Sequence, residues 1–366
     1  MSLIKDIYSA AFYDRFTNTV LKVVPSFNKL KFTEDIFGDN FGQKEWKDRM
    51  KHTTKVFQEV LGLDFKQAAN VILKLIQQLK EEDTGEDRLV YIFFPDYIET
   101  YGLNDFDTSI EAFEEVTQFI SCEFAVRPFI LKYGQKMIDV MTLWSLHKSH
   151  KVRRLASEGS RPRLPWAMAI PFLKKDPSSL LPLLENLKND SSEYVRRSVA
   201  NNLNDITKDH PDVVIGLALQ WAGGSKETDA IIKHGLRSLL KQGHTAVLKH
   251  YGLESALLNV EDFKIHTPVV KIGAPVDFSF KVLNNNASPH VVRLEYGIYY
   301  MKSKGHHARK VFKISEKLYQ PGEQIMVQRK QSFRVITTKK FYTGEHRVSI
   351  ILNGEEKGIL SFELRD

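Results

Sequence analysis

A seven-residue pattern occurs twice in this chain, and nothing else in it restricts the fold as tightly. His150-Lys-Val-Arg-Arg-Leu-Ala156 is echoed by Glu193-Tyr-Val-Arg-Arg-Ser-Val199, an offset of 43 residues with Val152 and Val195 equivalent. That offset falls in the range of about 40–47 residues occupied by HEAT and armadillo helix pairs. A single pair cannot bury its own apolar face, so pairs stack into a solenoid with a concave surface. A weaker third copy is expected from Ile232-Lys-His-Gly-Leu236.

Apolar residues at helical spacing extend the pattern over 43–61, 64–81, 107–130, 133–148, 192–208 and 226–241. Thr108-Ser-Ile-Glu111 has the form of a capping box, in which hydroxyl and carboxylate each satisfy an orphan amide. Behind it Ile110, Phe113, Val116, Ile120 and Phe124 share one helical face. Asp190-Ser-Ser-Glu193 is expected to open a second helix the same way, ahead of Val195, Val199, Leu203 and Ile206. Nothing before residue 257 calls for strands.

The periodicity then changes. Val276, Phe278, Phe280 and Val282 alternate with polar residues, as do Val292, Leu294, Tyr296 and Ile298, then Val348, Ile350 and Leu352, then Leu360, Phe362 and Leu364. Period two predicts half-buried antiparallel strands. Asn284-Asn-Asn-Ala-Ser-Pro289 and Asn353-Gly354 are turn signals. About seven short strands suggest an immunoglobulin-like sandwich, here without its Cys…Trp…Cys signature. The expected organisation is a HEAT-like repeat solenoid over 1–252 followed by an immunoglobulin-like β-sandwich over 258–366.

Charge divides along the same line. The chain carries +7 overall, and residues 257–366 hold 18 Lys and Arg against 11 Asp and Glu, which accounts for all of it. A basic excess favours contact with nucleic acid. Lys302-Ser-Lys-Gly-His-His-Ala-Arg-Lys310 reads as a basic loop, supplemented by Arg329, Lys330, Arg334, Lys339 and Lys340. No apolar run approaches the roughly 20 residues needed to span a bilayer. Met1-Ser-Leu-Ile-Lys-Asp-Ile-Tyr8 lacks the basic start and apolar middle of a signal peptide. The expected location is the cytoplasm, on the nucleoid. Cys122 is the sole cysteine, so an internal disulfide and a cysteine-rich zinc site are excluded. His306 and His307 have no partner ligands at usable spacing, and no metal or other cofactor is expected.

Between His147 and Trp166, Lys148, Lys151, Arg153, Arg154, Arg161 and Arg163 surround one acid, Glu158. Six cations around a carboxylate suit a phosphate-binding surface, and equally a solvated helix end. This stretch, Val152-Arg-Arg-Leu-Ala-Ser-Glu-Gly-Ser-Arg-Pro-Arg-Leu-Pro-Trp166, together with Phe119-Ile-Ser-Cys-Glu-Phe-Ala-Val-Arg-Pro-Phe129 and Ser192-Glu-Tyr-Val-Arg-Arg-Ser-Val-Ala-Asn-Asn-Leu-Asn-Asp-Ile206, resembles the AlkC family of bacterial DNA alkylation repair glycosylases. Phe94-Pro-Asp-Tyr97, Tyr101-Gly-Leu103 and Asp105-Phe-Asp107 fit as well. The resemblance covers residues 1–250, and the added sandwich is similar to the form of AlkC carrying an immunoglobulin-like domain.

It implies hydrolysis of the N-glycosidic bond of cationic methylated bases, chiefly 3-methyladenine and 3-methylcytosine, without full base flipping. A base methylated on N3 is already a good leaving group. The enzyme must then stabilise an oxocarbenium-like sugar and place a water, which carboxylates do. Glu123, Glu158 and Asp205 lie in the matching motifs, with Glu158 expected nearest the sugar and Trp166 expected to contact the cationic base or deoxyribose. Taken singly, Glu123 could pair with Arg127, Glu158 with Arg154 or Arg161, Asp205 could cap a helix or form a salt bridge, and Trp166 could sit in the core. Lys148, Lys151, Arg153, Arg154, Arg161, Arg163 and Arg197 are the expected DNA contacts. Double-stranded DNA with alkylated bases is the expected partner, met by a monomer that needs neither membrane nor protein partner. The competing reading is a non-catalytic HEAT scaffold or a damage-binding protein.

Overall fold

In a computed structural model, residues 4–38, 40–82, 88–335 and 340–366 are described. The chain forms two compact units, Met1–Gly235 and Leu236–Asp366. The first is entirely helical among its described residues, and all strands lie in the second.

Within the first unit the repeat sets the arrangement around the basic stretch. His150–Gly159 and Glu193–Ile206 begin 43 residues apart, each just after a serine, Ser149 and Ser192. They pack side by side, and Lys226–Gly235 packs on the far side of Glu193–Ile206. This third helix starts at Lys226 rather than in register with the weak copy near Ile232. Gly235 closes that contact, because a Cβ there would lie 2.9 Å from the Leu203 Cβ. The N-terminal part adds Ala10–Val23 and Lys29–Phe37, which the periodicity did not bring out. Its core is aromatic: Phe12, Tyr13, Phe16, Phe32, Phe57 and Phe93 are buried together.

Two helix starts differ from expectation. The helix expected from Thr108 is Phe106–Val116, capped by Asp105, whose carboxylate accepts from the Thr108 N–H. It ends ten residues short of the next helix, Arg127–Tyr133, so the single span 107–130 is two helices. The intervening turns carry Ser121 and Glu123. Asp190 does not take part in a capping box: it accepts from the Ser192 N–H and from Arg153.

Among its described residues the second unit carries eight strands: β1 (Leu258–Ile265), β2 (Val269–Lys271), β3 (Pro275–Asn284), β4 (His290–Met301), β5 (His307–Tyr319), β6 (Gln324–Ser332), β7 (Gly344–Leu352) and β8 (Glu355–Arg365). One sheet has the order β1-β3-β6 and the other β2-β8-β7-β4-β5. Alternate residues of β3, among them Phe278, Phe280 and Val282, fill a core shared with Leu294, Ile298, Ile350 and Phe362. The strict alternation expected of 292–298 is not realised, because every residue from Val292 to Ile298 is buried. β4 lies between β7 and β5, and its polar face is closed over Arg293 and Glu295, which pair with each other. The basic stretch 302–310 is a loop only up to His306; from His307 it is β5. Lys339 lies outside the described residues.

Two short helices, Arg237–Gln242 and Thr245–His250, belong to this second unit rather than to the helical one. Two glycines in left-handed conformation bring them against the sandwich, since a Cβ on Gly243 would meet the Gly354 oxygen at 2.6 Å. Asn353 seals the join by donating to the Glu254 carbonyl at 2.8 Å.

Candidate active site

The repeated Val-Arg-Arg has a structural first arginine and a variable second one. Arg153 donates to the carbonyls of His147 and Lys148; Arg196 donates to those of Asp190 and Ser191. In each repeat the guanidinium thus reaches back five and six residues to close the loop before its own helix. Arg153 is held further by a two-pronged pair with Asp190, at 2.5 and 3.0 Å. These bonds engage each of its three guanidinium nitrogens on the protein itself and give it a loop-closing role. The second arginines diverge: Arg197 is exposed beside Glu193 at 3.1 Å, whereas Arg154 turns inward.

From Arg154 a row of alternating charges crosses the helices. Arg154 donates to Glu123 and lies 3.8 Å from Glu158 Oε1. Arg161 donates to Glu158 Oε1 at 2.7 Å and to Asp205 Oδ2 at 2.8 Å. Lys208 ends the row on Asp205 Oδ1 at 2.9 Å. The three expected carboxylates therefore converge although they come from three elements. Glu158 and Asp205 are buried, and so is Arg161 between them. Burial lowers the basicity of the Arg161 guanidinium, but its bonds to Asp205 and the Glu158 charge outweigh that and raise it overall. Its expected place on a phosphate surface is corrected: an interior guanidinium shared by two carboxylates is not a surface contact.

The three acids are not equivalent. Both Asp205 oxygens are occupied, by Arg161 and Lys208. Glu123 Oε2 accepts from Arg154 and from the Ser121 hydroxyl, the latter at 2.6 Å. Glu158 accepts through Oε1. One oxygen of Glu123 and one of Glu158 accept nothing from the described residues.

Arg127, fully buried, does not form the alternative pair with Glu123. It donates to the carbonyls of Gly159 and Arg161, both at 2.8 Å, and of Met168. Burial, then the Arg161 charge, lowers this guanidinium to about 10. Arg127 fastens the end of the His150–Gly159 helix to the segment that follows, and so fixes Glu158, Arg161 and the approach to Trp166. Gly159 allows the close fit, since a Cβ there would lie 2.6 Å from Val126 Cγ2.

Trp166 is 88% exposed and adopts a φ of +64°, a conformation rare for a bulky residue. Its placement in the core is excluded. Strain of this kind costs about 1–3 kcal/mol and collects at functional sites. Lys47 Nζ donates to its carbonyl at 3.4 Å. Tyr194, half exposed, sits with its ring 4.5 Å from the Arg154 guanidinium carbon. The sequence reasoning missed Arg127 and Tyr194, although both lie inside the motifs that carried the resemblance.

Among the remaining expected cations, Lys148 is exposed without an ion pair among the described residues. Lys151 donates to the Gln118 carbonyl at 2.8 Å, and burial, with Arg88 and Lys80 nearby, lowers its basicity. Arg163 pairs with Asp209 at 2.6 Å. Lys80 and Arg88 thus join Lys151 in a cationic cluster that the linear sequence concealed. No group of three or more His, Cys, Asp or Glu among the described residues could hold a metal ion. Among the described residues, no helix is long and apolar enough to cross a membrane.

Three similarities bear on this site. Residues 259–366 match a family model described as "Uncharacterised protein YhaZ, C-terminal Ig-like domain". A Bacillus subtilis (strain 168) protein, "Uncharacterized protein YhaZ", is 41% identical over 365 residues and covers the whole of both chains. The solved structure of "Pseudomonas fluorescens alkylpurine DNA glycosylase AlkC bound to DNA containing an abasic site analog" superposes with a TM-score of 0.93 at 36% identity, covering 100% of each chain.

Proposed function

This chain belongs to the AlkC family of alkylpurine DNA glycosylases, and from that premise we propose that it excises cationic N3-methylated bases, 3-methyladenine and 3-methylcytosine, from double-stranded DNA. It is a DNA glycosylase of alkylation repair. The observation that carries the finer reading is the charge row: two carboxylates each keep an oxygen that accepts nothing from the described residues.

The reaction asks for little else. As the glycosidic bond breaks, its electron pair moves onto the positively charged base, which departs neutral without being protonated. Positive charge develops at the sugar. Glu158, with Arg161 holding its Oε1, presents the other oxygen to that charge. A water held at Glu158 or Glu123 adds through oxygen to the anomeric carbon, and the carboxylate takes its proton. Asp205, with both oxygens engaged, serves by keeping Arg161 in place. Preorganised charge of this kind typically supplies ~10²–10³ in rate per contact. Trp166 faces the cationic base or the deoxyribose through its ring. Because the lesion is activated already, no enclosing base pocket is required for bond cleavage, which agrees with action without full flipping.

DNA contact falls to Lys148, Arg197 and the Lys80–Arg88–Lys151 cluster on the helical unit, with the basic sandwich as a second grip. The protein acts as a monomer on chromosomal DNA in the cytoplasm. Incubation of the purified protein with methylated duplex DNA and chromatography of the released bases tests this reading. Release of both bases is expected, and release of neither would overturn it.

A further inference from the structure

A cavity of about 190 Å³ opens beside the carboxylate row, with Trp166 of the proposed site in its wall. Trp46, Asp96, Glu99, Ser121, Trp166 and Met168 are among the residues lining it. Its size lies below the roughly 300–1,000 Å³ of sites for drug-sized molecules, which restricts it to a ligand of about one fused ring system. All of its walls belong to the helical unit.

Two features of the lining point to one kind of ligand. Glu99 has neither a hydrogen bond nor an ion pair to any described residue, whereas Asp96 beside it accepts from the Thr54 hydroxyl at 2.6 Å. Burial, reinforced by Asp96 and opposed by Lys51, raises the Glu99 carboxyl to about 7, so that near neutrality it can either donate or accept. Besides Lys47 and Lys51, the rest of the lining is largely indole, phenyl, thioether and aliphatic carbon, suited to the faces of a flat ring. A ligand that offers an amine to Glu99 and flat faces to the indoles and thioethers is an amino-substituted heteroaromatic base.

The geometry points to a holding site for the free base: we propose that this cavity receives the methylated base after it has left the sugar. The proposal rests on the glycosylase reading, because that reaction is what generates a neutral free base here. The path is short. Ser121 lines the cavity, and its hydroxyl donates to Glu123 at 2.6 Å and accepts from Arg154 at 3.1 Å. Trp166 stands at the boundary of both places. Removing the base from the neighbourhood of the newly formed sugar hydroxyl disfavours its return.

Calorimetric titration of the full-length protein with 3-methyladenine as the free base tests the site without any reaction. Saturable one-to-one binding is expected. Glu99→Leu removes the carboxyl and Trp46→Ala removes an aromatic wall; each should weaken binding about tenfold, as loss of a buried hydrogen bond or of a ring contact does. Added 3-methyladenine should also slow multiple-turnover excision by the wild type. Absence of saturable binding at millimolar base in a preparation that excises methylated bases from DNA would overturn the proposal and leave the glycosylase reading intact. So would unchanged affinity in both variants, with folding verified by circular dichroism. Base binding without excision would instead sink the glycosylase reading.

Discussion

Each unit of this protein buries an arginine between carboxylates, and the two clusters have different fates. In the sandwich Arg293 donates to Glu295 Oε1 at 2.7 Å and to Glu316 Oε2 at 3.1 Å. Glu295 is fully buried, and its second oxygen and the Arg293 Nε have no partner among the described residues. Such a cluster is sealed: water and substrate have no access to its unused valences. In the helical unit Arg161 holds Glu158 and Asp205 at nearly the same distances, but the row continues through Arg154 to a partly exposed Glu123. A buried ion pair is weak evidence for stability and none for catalysis. What distinguishes a site is a carboxylate oxygen left uncommitted where a ligand can reach it.

Stability provides the largest test of that comparison. Removing one partner from a buried pair costs about 3–5 kcal/mol because the remaining charge is uncompensated. Arg161→Ala and Arg293→Ala should therefore lose similar amounts in chemical denaturation. Only the first should also impair excision per folded molecule; equal impairment by both would erase the distinction drawn here. Next in size is Glu158→Gln, expected to slow single-turnover excision by ~10²–10³ with little change in melting temperature. The matching change in the sealed cluster, Glu295→Gln, should leave the rate alone. A normal rate in the Glu158 variant would remove it from the site.

Smaller effects sharpen the division of labour. Trp166→Ala should lower kcat/KM for a cationic lesion by about 2- to 30-fold, the range of a cation–π contact of ~0.5–2 kcal/mol. Because the residue is exposed and conformationally strained, its loss should not destabilise the fold. An unchanged kcat/KM would place the indole outside the substrate's reach. Smallest of all, Lys302→Ala combined with Lys304→Ala, both exposed on the turn between β4 and β5, should reduce the slope of log affinity against log salt by up to about 0.9 for each phosphate no longer neutralised. A constant slope would show that DNA lies elsewhere.

The sequence by itself determined the order of the two architectures and pointed to three acids that the fold brings together. Periodicity is a local property, visible wherever side chains alternate every two residues or recur every three to four. The 43-residue echo revealed stacked helices for the same reason, since its equivalent residues occupy equivalent packing positions. The resemblance of the motifs singled out Glu123, Glu158 and Asp205 before any geometry was known. Only the tertiary structure decided which cations are free. Arg153, Arg154, Arg161 and Arg163 look alike in one basic stretch, yet they close a loop, bridge two glutamates, fill a buried pair and bind Asp209. Their partners, Glu123, Asp190, Asp205 and Asp209, lie 31 to 46 residues away along the chain. A charge's role depends on which opposite charge and how much water surround it, and both are set by the packing of distant helices rather than by neighbours in sequence.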